Sequence, residues 1–270
     1  MGVARAPEIV LGLTVPGAAM NMRIGCVEVA AVDRVREGVY RLGTEWVGWY
    51  LLVSGDGITV VDCGFEGYYE QLPDALSTLG RSVAEVSAVV LTHYHTDHVG
   101  SAERIRTEAG ATVFAPEGDQ HGVRGERVPL PDGLLGNLWR PRMVRYMAHA
   151  ARNGGMTVTA VKELRTYSGG DELAVPGRLR AVHTPGHTGG HCSLLSDAHG
   201  VLFAGDALST LDLRTGEPGP RLPPFNEDAD LARRSLERLR GLDASMVLVG
   251  HGDPFEGRPA EAVEQADSRA

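Results

Sequence analysis

Three imidazoles and a carboxylate fall within six residues of this chain, His93-Tyr94-His95-Thr96-Asp97-His98, just after the apolar run Ala88 to Leu91. Side chains two apart on extended backbone share a face. His93 and His95 can therefore converge on one cation, while Asp97 and His98 leave the turn in another direction and can reach a second. With ten His and sixteen Asp in 270 residues, an HxHxDH segment arises by chance with a probability of about 0.0008. Three further donors share its placement at the end of a strand-like run, where a rigid sheet presents functional groups. His187 follows Thr184-Pro185-Gly186, Asp206 ends VLFAGD and His251 ends MVLVGH. Asp62, ending ITVVD, is expected to accept a hydrogen bond from a ligand imidazole and so fix its tautomer.

Nitrogen and oxygen donors of this kind suit two divalent metal ions, zinc first, with iron or manganese as alternatives, in a site open to water. Such a pair lowers the pKa of the water between the ions, and a metal-bridging hydroxide then attacks a carbonyl without a Ser or Cys nucleophile. Asp97 is the candidate catalytic residue, positioned to take or relay the proton of that water. His121, His149, His183, His191 and His199 lack the strand-end placement and are expected at the surface or in supporting roles. Cys63 is expected to be a small buried residue.

The elements that must carry these residues are readable from periodicity. CVEVAAV, GVYRL, WVGWYLLV and ITVVD, between Cys26 and Asp62, read as an antiparallel meander. A helix from about Glu66 to Leu79 leads to the strand before the His cluster; Val99 to Ala109 reads as a helix and Thr112 to Ala115 as a strand. Residues 116–160 hold a Pro/Gly-rich loop and a helix through Met143, Tyr146, Met147 and Ala150, a stripe that packing alone explains. This is the expected substrate-covering insert. RLRAVHT, HCSLLSD, GVLFAGD and MVLV are strands, and Asp228 to Arg240 is an amphipathic helix. Two strand-then-helix halves stack with sheets inside and helices outside, a four-layer αββα sandwich of the α/β class. We expect residues 1–21 to be a flexible extension, with Met22 an alternative start, and 22–270 to form a single domain.

Composition narrows the partners. A net charge of −9 opposes a broad phosphate-binding surface, so a small-molecule substrate is expected and nucleic acid is not. No apolar run approaches the ~18 residues of a membrane span, and no membrane partner is expected. Cys26, Cys63 and Cys192 are odd in number and widely spaced, which argues against a disulfide framework and fits a cytoplasmic setting. Oligomeric state is not encoded in any pattern found.

The HxHxDH segment, followed by His187, Asp206 and His251 each after a strand, resembles the metallo-β-lactamase superfamily of hydrolases, from about Cys26 to His251. The resemblance implies the αββα fold, with His93, His95 and His187 on one metal, Asp97, His98 and His251 on the other, and Asp206 bridging. It also implies that Asp206 ranks a β-lactamase below the glyoxalase II-like thioesterases and lactonases, which carry that bridging Asp. Glyoxalase II proper has a further helical region for glutathione, whereas 19 residues follow His251 here. An ester, thioester or lactone is therefore the expected substrate. Tyr146 or Tyr94 would be the proton donor, by likeness to the lactonases. An iron-dependent dioxygenase of the persulfide dioxygenase type, holding one iron with two His and an Asp, and a metal-binding protein without turnover are the alternatives.

Overall fold

The computed structural model describes residues 32–128, 133–157 and 159–269. The expected strand from Cys26, apart from Val32, and the extension 1–21 lie outside them. Seven strands make the first sheet, in chain order from edge to edge: β1 (Asp33–Arg36), β2 (Val39–Gly43), β3 (Gly48–Ser54), β4 (Gly57–Val61), β5 (Val86–Val90), β6 (Thr112–Pro116) and β7 (Arg165–Tyr167). β1 to β4 pair antiparallel; β2 to β4 are three strands of the expected meander, and β1 is a strand that was not expected. From β4 onward the pairing is parallel. Parallel neighbours need crossovers. These are supplied by α1 (Gln71–Thr78), then α2 (Thr96–Val99) with α3 (Ala102–Ala109), then the segment holding α4 (Gln120–Val123), α5 (Leu134–Asn137) and α6 (Pro141–Arg152).

The second half supplies β8 (Glu172–Leu173), β9 (Leu179–His183), β10 (Cys192–Ser196) and β11 (Val201–Gly205). After the small ribbon of β12 (Ser209–Leu211) and β13 (Pro218–Arg221) come α7 (Ala229–Ser235), α8 (Glu237–Arg240), β14 (Met246–Val249), β15 (Phe255–Glu256) and α9 (Pro259–Asp267). The second sheet has the order β15-β14-β11-β10-β9-β8. The single helix expected from Asp228 to Arg240 divides at Leu236. There the backbone amides of Leu236 and Leu239 bond three residues back, to Arg233 and Leu236, in the tighter 3-10 pattern.

Alternation along the strands builds the layers. Tyr50, Leu52, Val61, Ala88 and Val90 of the first sheet meet Leu194, Val201, Phe203, Met246 and Leu248 of the second. Their neighbours point the other way. Trp49, Leu51, Val60 and Val89 pack with Leu72, Leu76 and Ile105 of the first helical layer. Leu202, Val247 and Val249 pack with Leu236, Leu239 and Val263 of the second. Strands buried on both faces read as continuous apolar runs, which is why VVDC, AVVL and MVLV gave no amphipathic signal. The result is the expected α/β/β/α sandwich. No helix of the described residues is long and apolar enough to cross a membrane.

Candidate metal centre

One rim of the two sheets collects the chemistry, because β4, β5, β11 and β14 all end there, just before Asp62, His93, Asp206 and His251 respectively. All seven predicted residues come together. Donor atoms of His93, His95 and His187 lie within 4.8 Å of one another, as do those of Asp97, His98 and His251, and those of His93, His98 and Asp206. His95 Nδ1 is 3.0 Å from His93 Nε2 and 2.9 Å from His187 Nε2. Asp206 faces both groups: one oxygen is 3.1 Å from His251 Nε2 and 3.4 Å from His187 Nε2, the other 3.5 Å from His98 Nε2. Every one of these side chains is buried except His95, which is partly exposed.

Backbone geometry at the strand ends is specific. Asp62 adopts φ 55, a left-handed conformation uncommon outside glycine. This turns its carboxylate back over the next strand, where it accepts from Thr92 N at 2.8 Å and from Thr92 Oγ1 at 2.9 Å, and faces His98 Nδ1 at 2.8 Å. Gly250 precedes His251 because a Cβ there would come within 2.2 Å of Asp206 Oδ1 and 2.6 Å of the His98 ring.

Outward-facing ring nitrogens set the tautomers. His98 Nδ1–H donates to Asp62, and His251 Nδ1–H to the Trp46 carbonyl at 2.6 Å. His187 Nδ1 pairs with Asn226 Oδ1 at 3.3 Å, and His93 Nδ1 with Thr92 Oγ1 at 3.0 Å. Thr92 spends its own proton on Asp62, so its lone pair receives the His93 proton. In the neutral rings this leaves four inward Nε2 atoms as lone pairs, the form a metal requires.

Burial disfavours charge on every one of these groups, and neighbours decide the outcome. For His93, burial and then His98 hold the pKa well below its usual value, and burial with His187 drives His95 down to about 3. For His98, burial is outweighed by Asp62 and Asp206, which raise it to about 10. Burial pushes the Asp206 carboxyl up, but His251 and His98 outweigh it and keep it well below the usual range. The carboxylate is thus available as a ligand. Among the described residues, His98 Nε2 and Asp206 Oδ1 are buried without a hydrogen-bond partner. Unpaired buried polar atoms are costly, and a cation between these lone pairs would satisfy them. The donor set therefore fits divalent metal.

Neighbouring residues were only partly foreseen. His191, expected at the surface or in support, is fully buried; its Nε2 accepts from the backbone N–H of Asp206 at 3.0 Å. Asp119 carried no signal of its own. It accepts from Thr188 Oγ1 at 2.6 Å, Gly190 N at 2.7 Å and Tyr94 N at 3.2 Å, tying the His95 loop to the His187 loop. The hint lay in Gly190, where a Cβ would meet Asp119 Oδ1 at 2.4 Å. Tyr94 donates to Glu227 at 2.6 Å, whereas Tyr146 donates to Asp97 at 2.9 Å. Burial and then Asp97 hold the Tyr146 hydroxyl well above its usual pKa, so it keeps its proton. The insert stripe divides: Met143 is core, while Tyr146 and Met147 line a cavity over the centre, contrary to the expectation that packing explains all three. Cys63 is buried, as expected.

A family model described as Metallo-beta-lactamase superfamily matches residues 46–251. Uncharacterized protein YobT of Bacillus subtilis strain 168 is 28% identical over 83% of this chain and 90% of its own. Probable metallo-hydrolase YflN of the same organism is 30% identical over 64% of this chain and 67% of its own. Among solved structures, a metallo-beta-lactamase family protein from Thermus thermophilus superposes with a TM-score of 0.62. It is 28% identical, covering 86% of this chain and 78% of the other.

Proposed function

The chain belongs to the metallo-β-lactamase superfamily of metal-dependent hydrolases, and from that premise we propose that it hydrolyses a small ester, thioester or lactone at a centre of two divalent ions, zinc by preference. His93, His95 and His187 would hold one ion, and Asp97, His98 and His251 the other. The observation that carries this reading is Asp206, which stands between the two groups of imidazoles: one oxygen faces His187 of the first and His251 of the second, and the other faces His98. When bound, the ions would polarise a carbonyl and acidify water.

The protein's own residues do the rest. Asp62, the Trp46 carbonyl and Asn226 hold three rings in the ligand tautomer, and His191 fixes the Asp206 peptide. Asp97 accepts from Tyr146, so it stands where a proton leaving water can be received. Tyr146 keeps a phenolic proton at the cavity floor and can hand it to a departing oxygen or sulfur. Tyr94, engaged with Glu227, is not assigned that part.

The test is metal content together with a panel of ester, thioester, homoserine-lactone and β-lactam substrates, run on the native protein and on Asp97→Ala. Two metals per chain and acyl cleavage that Asp97→Ala loses are the expected result. One iron per chain with oxygen consumption would overturn the reading, and a β-lactam as best substrate would overturn the inference from Asp206.

A further inference from the structure

The cavity above the centre has a volume of about 340 Å³, at the lower end of ligand-pocket sizes. Its floor is the metal centre with Tyr146. Its wall is of another character. Phe65, Leu213 and Phe225, all buried, line it together with Val128, Leu134 and Met147 of the insert region. No Lys or Arg among the described residues lines it.

The few polar groups in the wall are already engaged. The Thr96 hydroxyl donates to the Gly155 carbonyl at 3.0 Å, the Ser209 hydroxyl lies 2.6 Å from the Leu211 carbonyl and 3.0 Å from that of His251, and the Tyr94 hydroxyl is given to Glu227. A carboxylate or phosphate seated in the wall, away from the floor, would find no Lys or Arg and none of these hydroxyls free among the described residues. Burying such a charge unpaired is strongly unfavourable. An alkyl group seated there instead removes apolar surface on both partners from water, worth roughly a fourfold gain in affinity per methylene.

Building on the acyl-hydrolase reading, we propose that the group held in this wall is an uncharged hydrocarbon acyl chain, and that substrates bearing a second anionic group on the acyl portion are rejected. The scissile carbonyl lies at the floor and the chain runs up past Phe225 and Met147. Specificity against anions is built from absence of cations rather than from a repelling residue, so a single introduced cation is enough to relax it.

The experiment uses the full-length metal-loaded protein and the 4-nitrophenyl esters of acetate, butyrate, hexanoate and octanoate, with the 4-nitrophenyl monoester of suberic acid as the anionic partner of octanoate. We expect kcat/KM to rise about threefold per methylene until the cavity is full, and the suberate monoester to fall at least a hundredfold below octanoate. In Met147→Lys, the suberate-to-octanoate ratio should rise at least tenfold, a comparison internal to one variant and so independent of its overall activity. A flat chain-length profile, or suberate equal to octanoate in the native protein, overturns the proposal. If no ester is cleaved, the hydrolase reading fails on its own, and calorimetric titration of octanamide against acetamide decides the acyl proposal. Octanamide binding at least tenfold tighter upholds it; equal or absent binding overturns it.

Discussion

The floor and the wall of the cavity are built on opposite principles. On the floor, polar side chains from four strand ends are buried, and almost every nitrogen pointing away from the centre has a named acceptor. The outer wall belongs to the insert, where Leu135, Trp139, Val144 and Met156 are the exposed large hydrophobics of the described residues, Trp139 at 73%. A floor hung from two sheets holds ligand atoms where a reaction needs them. The wall hung between β6 and β7 meets the donors through Tyr146, which donates to Asp97, while its other lining side chains Val128, Leu134 and Met147 are apolar. Tyr146 apart, chemistry and selectivity are therefore separable here, and substitutions should sort by which of the two they touch.

The sharpest way to break that comparison is at its centre. Asp206→Ala should cost at least a thousandfold in kcat/KM and one or both metals per chain, measured by turnover and elemental analysis. Activity within tenfold of native would mean that the two triads work without a shared carboxylate. One step out, Asp62→Ala leaves Thr92 N–H and His98 Nδ1–H buried without an acceptor. Metal affinity should fall about 10-fold to 100-fold, and urea unfolding should shift by about 1–3 kcal/mol.

A smaller, pH-dependent effect belongs to Asp119. Burial raises its pKa to about 6, against hydrogen bonds from Thr188 and Gly190 that lower it. A carboxyl whose folded pKa lies above its unfolded value contributes stability that is present below the unfolded pKa and is lost as pH rises through the folded one. The native protein should therefore lose stability from this group between about pH 4 and pH 6. Asp119→Asn, which cannot titrate, should show no such loss, so the stability gap between the two should narrow over that window. An unchanged gap in urea midpoints across it would remove Asp119 from the account. The smallest effect is expected in the wall's outer face. Trp139→Ser and Leu135→Ser should alter stability by no more than about 0.5 kcal/mol; a loss of several kcal/mol would show that the insert is structurally part of the floor.

These two regions also differ in how much of them the sequence discloses. The floor was legible because its signals are local: HxHxDH is contiguous, and His187, Asp206 and His251 each close an apolar run that alternation alone sends to both faces of a buried sheet. Asp119 and Glu227 were not, since each acts on Tyr94, 25 and 133 residues away, and nothing in their own neighbourhoods marks a partner that distant. β8 and β15, two residues each, are too short to show a period. α9 buries Ala262, Val263 and Ala266, a stripe whose small side chains barely register as apolar. In the insert, helical spacing predicted Met143, Tyr146 and Met147 on one face. Only the depth of α6 over the centre decides which of them meet solvent, substrate or core.

The distribution of ligands along the chain has a consequence for how the protein acquires its proposed metals. About 160 residues separate His93 from His251, which at ribosomal speeds is on the order of ten seconds of synthesis. Throughout that interval the nascent chain displays the first imidazole cluster without His251, and for most of it without Asp206. An ion arriving then meets a partial, solvated set of donors that any comparably coordinating metal can occupy and leave. The full cage exists only once β14 has paired beside β11. The proposed donor set is therefore complete only in the finished fold, after the last strand that carries a donor is in place.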